Sequence, residues 1–173
     1  MNNNIHCLPV DDLGKRFLLG KKGKSEMLAI GLNPSTANSV FLDPTSRNIE
    51  TIANQNGCDG WWIVNLYPER TSIPKKLPKK PNNKLLLDNN RIIKEVINDP
   101  KYNLKIILFC WGNHIEHHLY LKNQVLDIFD LFYGSDFKFY CIGKTKLGNP
   151  FHPSPMAINS FLGGINGLKL IEY

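Results

Sequence analysis

The stretch MLAIGLNPS, residues 27–35, decides the fold of this chain. Its first part, Met27 to Leu32, is almost entirely apolar and runs directly into the turn-forming pair Asn33 and Pro34. A short apolar run bounded by turn residues is typical of a strand that is covered on both faces, as in a parallel sheet. The sequence therefore predicts a buried strand that ends in a stiff polar turn at Asn33.

The rest of the chain alternates between such strands and helices. Three more buried strands are predicted, at Trp61 to Leu66, Leu104 to Trp111 and Phe137 to Ile142. Apolar residues at helical spacing predict helices over Thr45 to Asn56, Leu85 to Ile97 and His114 to Phe132. Because this order favours right-handed crossovers, we expect one α/β domain over residues 1–173. The predicted architecture is a three-layer α/β/α sandwich around a central, mainly parallel sheet of four strands.

The charge of the chain favours an anionic partner. A chain of 173 residues with 42% apolar residues is large enough for one core, and its formal net charge is +6. Four lysines alternate with prolines in one segment: Lys75, Lys76, Lys79 and Lys80. The segment is predicted to be a surface loop that contacts a phosphate backbone, and a merely solvated loop is the alternative.

The cysteines and histidines do not indicate a metal centre. The four cysteines form no C-x-x-C pair: Cys7, Cys58, Cys110 and Cys141. His114 and His118 would share a helix face, but the order of His114, Glu116 and His118 does not match a zinc helix. We therefore expect no metal and no cofactor. Reduced cysteines within apolar segments fit a cytoplasmic location, and no apolar run is long enough to suggest a membrane partner.

Polar side chains follow the predicted strands at the edge where parallel sheets bind ligands. Asn33 follows the first strand, Asn65 ends the second, and His152 lies in the proline-rich segment beyond the fourth. Each alone could be a turn former, a strand cap or a loop histidine. Together they predict a preorganised polar pocket.

Several motifs resemble the uracil-DNA glycosylase superfamily, in the same order along the chain. Gly31 to Pro34 resembles the first motif of the mismatch-specific branch, and His152 to Pro155 resembles the second motif of the classical branch. Three intervening stretches are also similar to that superfamily: Phe41 to Arg47, Ile63 to Asn65, and Ile107 to Gly112. The segments GLNPSTA and NLYP also resemble an uncharacterised bacterial and phage domain family, which supplies no activity.

The resemblance implies a DNA glycosylase that removes a damaged or modified base. By this resemblance His152 donates a hydrogen bond to the departing base and Asn33 orients the attacking water. Asn65 reads the edge of the base, with Phe41 and Leu32 beside it.

The resemblance also implies contacts with DNA outside the base pocket. Met156 occupies the place of a side chain that wedges into the duplex, and Ser35 and Ser154 are candidate backbone contacts. Asn33 stands where the classical branch has a catalytic aspartate, so excision of uracil is expected to be slower. Ser35 stands where that superfamily controls which bases enter, so a modified base is the expected substrate.

Two other functions fit the same residues. One is an enzyme that modifies nucleosides, nucleotides or DNA bases in the same pocket, and the other is a non-catalytic nucleic-acid-binding module. In each case we expect a monomer, and for the glycosylase the partner is single- or double-stranded DNA.

Overall fold

A computed structural model describes residues 4–173 as an α/β fold built on one mixed sheet. The seven strands are β1 (Ile5–Leu8), β2 (Leu18–Lys21), β3 (Glu26–Gly31), β4 (Gly60–Asn65), β5 (Leu104–Phe109), β6 (Phe139–Cys141) and β7 (Ile171–Glu172). The four helices are α1 (Pro44–Gln55), α2 (Asn83–Asn98), α3 (Leu119–Leu131) and α4 (Pro155–Phe161). The α/β class predicted from the sequence is confirmed.

The centre of the sheet is parallel and its two sides are antiparallel. The strand order is β1-β2-β4-β3-β5-β6-β7, with parallel pairing from β4 through β3 and β5 to β6. The four predicted strands are these central ones, each within two residues of its predicted bounds. The prediction of a four-stranded sheet is wrong, because β1 and β2 add to one side of the parallel strands and β7 to the other. These additions are four, four and two residues long, too short to give a strand pattern.

Each face of the central sheet is covered by helices. On β3, Leu28 and Ile30 belong to the apolar cluster that also contains buried residues of α2 and α3. Met27 and Ala29 belong to the second cluster, which contains buried residues of α1. Alternate residues of one strand thus enter two separate cores, and this explains the continuous apolar run in the sequence.

Helix α1 begins and ends on recognisable signals. The Asp43 side chain accepts a hydrogen bond from Ser46 N at 2.8 Å, and Pro44 fills the first helical position. The chain leaves the helix through Gly57, which has φ of +78°. The predicted bounds are therefore correct to one residue.

The start of α3 was predicted too early. Residues Asn113–His117 form a 3₁₀ turn, and His118 is extended with φ of −142° before α3 begins at Leu119. Apolar periodicity does not reveal such a break, because the turn also buries one apolar residue, Ile115. His114 and His118 consequently do not share a helix face.

The described residues also show the state of the cysteines and whether any helix could cross a membrane. All four cysteines are buried as free thiols. Between residues 4 and 173 no helix combines the length and the apolar character that crossing a bilayer requires.

Candidate functional site

The three pocket residues predicted from the sequence line one small cavity. Asn33, Asn65 and His152 all border a space of about 70 Å³, which we call the recess. Gly31 and Asn65 are paired in register at the carboxyl ends of β3 and β4, so the recess opens at the edge where parallel sheets bind ligands.

The recess shares walls with two larger cavities. A cleft of about 300 Å³ shares Asn33, Ser35, Asp43 and His152 with it. A groove of about 480 Å³ shares Asn33 and His152, and is also lined by aromatic and apolar residues: Leu32, Trp111, Phe151, Met156 and Phe161. The deep polar recess therefore lies beside enough space for a nucleoside-sized ligand.

The side chain of Asn33 is held in place by hydrogen bonds from its amide nitrogen to the backbone. Asn33 Nδ2 donates to Pro34 O at 3.0 Å and to Thr71 O at 2.8 Å. The carbonyl oxygen of the Asn33 side chain makes no hydrogen bond with residues 4–173. Asn33 thus offers a rigidly held acceptor to whatever occupies the cavity.

Asn65 is buried with its amide group unsatisfied. The residue is 2% exposed, and within the described chain Nδ2 has no hydrogen-bond partner. The backbone oxygen of Asn65 accepts from Asn89 Nδ2 at 2.9 Å, which holds the strand end in place. A Cβ at Gly31 would lie 3.0 Å from Asn65 Oδ1, so glycine leaves room for this amide. A buried polar group without a partner is unfavourable unless a ligand satisfies it.

His152 is a neutral histidine at physiological pH. Burial lowers the pKa of His152 to about 4, and this outweighs the opposing attraction of the Asp43 carboxylate. The backbone around it is held by Gly112, whose N–H donates to Pro150 O at 3.0 Å. A Cβ at Gly112 would lie 3.0 Å from the Cβ of His152, and φ at Gly112 is +71°. Glycine at this position therefore lets the chain at His152 lie close to the segment that follows β5.

Two charged residues complete the recess, and the sequence-based prediction did not assign them a role. Asp43 lines both the recess and the adjoining cleft while one of its oxygens caps α1. Asp43 could have been found from the sequence, because it lies within the stretch Phe41 to Arg47 that carries the resemblance. Arg16 lies between β1 and β2, outside every motif, and no sequence signal points to it.

Arg16 is a buried cation with no ionic partner. It is 3% exposed, and among residues 4–173 no carboxylate oxygen lies within 4.0 Å of its nitrogens. Arg16 Nη1 donates to Ala37 O at 3.0 Å, but its Nε has no partner in the same part of the chain. Burial and then the nearby Arg70 lower the pKa of Arg16 to about 10, so the guanidinium still carries its charge at neutral pH.

The other predicted site residues lie at different distances from the recess. Ser35 lines it, and Leu32, Ser154 and Met156 line the neighbouring groove. Ser154 also caps α4, since its Oγ accepts from Ala157 N at 3.2 Å. Phe41 lines neither the recess nor the cleft nor the groove, is 50% exposed and has the Arg47 guanidinium 5.7 Å from its ring centre.

The lysine segment stands near the mouth of the cavities. Ser72 and Pro74, which precede it, line both the cleft and the groove. Its four lysines are exposed and form no ion pair with the described residues: Lys75, Lys76, Lys79 and Lys80. The positive charge predicted for this loop is therefore free to meet an anionic partner.

The histidine cluster shows no metal geometry. His114 Nδ1 lies 3.0 Å from His117 Nε2, while Glu116 forms an ion pair with Lys122. Among residues 4–173 no three histidine, cysteine or acidic side chains are arranged to hold a metal ion.

Comparison with known proteins identifies a family but not an activity. No curated protein and no solved structure matches the chain. Residues 16–154 match the family described as "Protein of unknown function (DUF1643)", and this segment contains Arg16, Asn33, Asp43, Asn65 and His152. Because the match covers well over half of its length, the chain belongs to the DUF1643 family.

Proposed function

We propose that this protein is a DNA glycosylase-like hydrolase that cleaves the N-glycosidic bond of a damaged or modified base in DNA. The observation that carries the proposal is the shared recess, where Asn33, Asn65 and a neutral His152 meet. The parallel strands β4, β3, β5 and β6 support a uracil-DNA glycosylase-like topology as part of the same proposal.

The role of His152 follows from its neutral state. As the bond to the base breaks, negative charge develops on the base oxygens, and a neutral imidazole N–H can donate a hydrogen bond there. Since its pKa is about 4, the ring is neutral at pH 7. A neutral imidazole is a very weak acid, so it gives a hydrogen bond without transferring its proton, and the base leaves as an anion. Removing such a donor typically costs roughly 3 kcal/mol of transition-state stabilisation.

Water is oriented by Asn33 and activated by Asp43. The fixed side-chain oxygen of Asn33 accepts one hydrogen bond from the water. Asparagine is not a base, but the Asp43 carboxylate on the same wall can take the proton as water oxygen bonds to the sugar C1′. Its negative charge also stabilises the positive charge that develops on the sugar. Asp43 thus supplies the carboxylate that the first motif lacks.

Base recognition falls to Asn65. Its unpartnered Nδ2 can donate to a carbonyl of an extruded pyrimidine, while Oδ1 accepts from the adjacent ring N–H. Leu32 contributes apolar surface in the groove beside it.

The surroundings of the recess suit a nucleic acid. Met156 lines the groove and is 70% exposed, which supports the proposal that its side chain wedges between bases. The hydroxyls of Ser35 and Ser154 lie on the same side as candidate backbone contacts. The unpaired lysines from Lys75 to Lys80 add sequence-independent attraction for phosphates.

The test is a base-excision screen. Oligonucleotides that each carry one modified base are incubated with wild type, Asn33→Ala and His152→Ala, and abasic sites are revealed by alkali. We expect cleavage of at least one substrate by wild type and a loss of about 100-fold or more in each variant. Lys105→Ala, on the exposed part of β5, is the matched control.

Failure of wild type on every substrate, or equal rates in wild type and both variants, would overturn the glycosylase assignment. Release of base from free nucleosides but not from DNA would point instead to a nucleoside-processing enzyme. Binding of DNA without either reaction would point to a binding module.

A further inference from the structure

The buried guanidinium of Arg16 has no role in the reaction proposed above. A charged group loses its hydration on burial, and this is unfavourable unless a counter-charge or hydrogen bonds replace the water. Arg16 has neither in full: one nitrogen bonds to a carbonyl, and Nε is buried without a partner among residues 4–173. An unsatisfied cation that lines a cavity is a feature that a bound anion would explain.

A structural role does not account for Arg16. Its one side-chain hydrogen bond goes to Ala37 O, and this oxygen also accepts from Arg70 Nη1 at 2.9 Å. Arg70 further donates to Ser35 O at 2.8 Å and to Asp12 O at 2.9 Å. Arg70 therefore holds the 35–37 loop through two hydrogen bonds of its own, and Arg16 adds a second bond to Ala37 O that uses only one of its nitrogens.

The neighbours of Arg16 favour an oxyanion. Asn65 contributes a second buried and unpartnered donor, Nδ2, to the same recess. Asp43 also lines the recess, but it lies beyond ion-pair distance of Arg16 and one of its oxygens is bound by Ser46 N. Asp43 therefore attracts the guanidinium only from a distance, and Arg16 forms no ion pair with residues 4–173. Two unsatisfied donors, one of them cationic, match the acceptor oxygens of a carboxylate or a phosphate.

We propose that Arg16 and one of the two N–H bonds of Asn65 Nδ2 form a subsite for an oxyanion carried by the ligand that enters the recess, while the other N–H serves the base carbonyl. The inference deepens the proposed function and rests on it only in taking that ligand to be a pyrimidine or its nucleotide. The oxyanion has two sources: a carboxylate on the base, or the phosphate of a free nucleotide.

Calorimetric titration of the full chain distinguishes these sources without any DNA. The ligands are uracil, uracil-5-carboxylate, uracil-6-carboxylate, uridine and uridine 5′-monophosphate. We expect wild type to bind one of the anionic ligands about tenfold or more tightly than its neutral counterpart, a difference typical of a charge-assisted contact. Preference for a carboxylated base assigns the oxyanion to the base, and preference for the monophosphate assigns it to a nucleotide.

Variants then test whether Arg16 is responsible. Arg16→Gln is expected to abolish the preference for the anion while binding of the neutral ligand changes little. Arg16→Lys keeps the charge and is expected to retain part of the preference. Arg91→Gln is the matched control, because Arg91 is an exposed arginine of α2 whose ion pair with Glu95 is remote from the recess.

Equal binding of anionic and neutral ligands by wild type would overturn the inference, as would no detectable binding of any anionic ligand. An undiminished preference in Arg16→Gln would do the same. These results are independent of the excision screen. An active glycosylase without anion preference would refute only the subsite, and an inactive protein with an Arg16-dependent preference would refute only the glycosylase.

Discussion

At the scale of single residues, the site retains groups that are unfavourable for folding. Arg16 and Asn65 keep buried donors without partners in the described chain, and the partly buried His152 resists protonation. Natural sites commonly accept such features because function requires them, at some loss of stability. Substitution of any of these three residues should therefore weaken ligand binding and increase the free energy of unfolding.

We predict that the titration of His152 makes the stability of the protein depend on pH. Its pKa in the folded protein is about 4, below the ordinary value of 6.5. When the pH falls below about 6.5, His152 is protonated in the unfolded chain but stays neutral in the folded protein. The free energy of unfolding therefore decreases until about pH 4. Between pH 7 and pH 5 this residue should account for a loss of about 2 kcal/mol.

Urea unfolding at pH 7 and pH 5 checks this prediction. His152→Gln should show a smaller decrease between the two pH values than wild type, whereas His6→Gln, which alters an exposed histidine, should behave like wild type. An identical decrease in wild type and His152→Gln would show that the imidazole is not protected from protonation.

At the scale of secondary-structure elements, α1 links folding to the site. Its N-cap, Asp43, holds Ser46 N with one oxygen and lines the recess at the same time. The two roles can be separated because asparagine caps helices about as well as aspartate but carries no charge.

Substitution of Asp43 is the prediction at this scale. Asp43→Asn should leave the free energy of unfolding within about 0.5 kcal/mol of wild type, while Asp43→Ala should lose about 1 kcal/mol through the cap. Both should reduce base excision by about 100-fold, since both remove the carboxylate that activates water. Thermal unfolding and single-turnover excision provide the two measurements. Full activity in Asp43→Asn would show that Asp43 caps α1 but does not activate water.

The elements also show how far the sequence can predict this fold. The strands β3 and β4 are buried along their whole length and β5 over its last three residues, so their apolar runs are easily seen in the sequence. The position of the asparagines at two strand ends follows from the topology. The added strands β2 and β7 join the sheet by pairing with distant segments, and β1 joins it only through β2, so local composition does not encode any of the three. For the same reason Arg16, which precedes β2, was beyond prediction. Phe41, which the resemblance predicts to lie beside Asn65 at the base, does not line the recess.

At the scale of the whole molecule, positive charge lies at two ends of the sheet. Lys75 and its neighbours follow β4 on the side of the recess. Lys22 and Lys24 lie at the opposite edge, where Lys24 N donates to Asp59 Oδ1 at 2.8 Å just before β4 begins. Of these two groups, the first lies on the side of the recess, where the proposed function requires attraction for a nucleic acid.

Salt dependence of DNA binding is the prediction at this scale. Replacing the four loop lysines by glutamine should reduce the slope of log Kd against log salt by up to about 4, because each phosphate contact contributes roughly one counterion. Replacing Lys21, Lys22 and Lys24 should leave the slope nearly unchanged. Fluorescence anisotropy at several salt concentrations measures both. Equal changes in the two variants would mean that the loop has no special part in binding.

The strand order has a consequence for how the protein is made. The walls of the recess come from position 16, before β2, and from position 152, after β6, with most of the chain between them. Position 152 must therefore leave the ribosome before these walls can meet, since a nascent chain folds only as it emerges. Pairing across such long sequence separations is also slow relative to local helix formation. Newly synthesised molecules should acquire their secondary structure well before they acquire any affinity for a ligand.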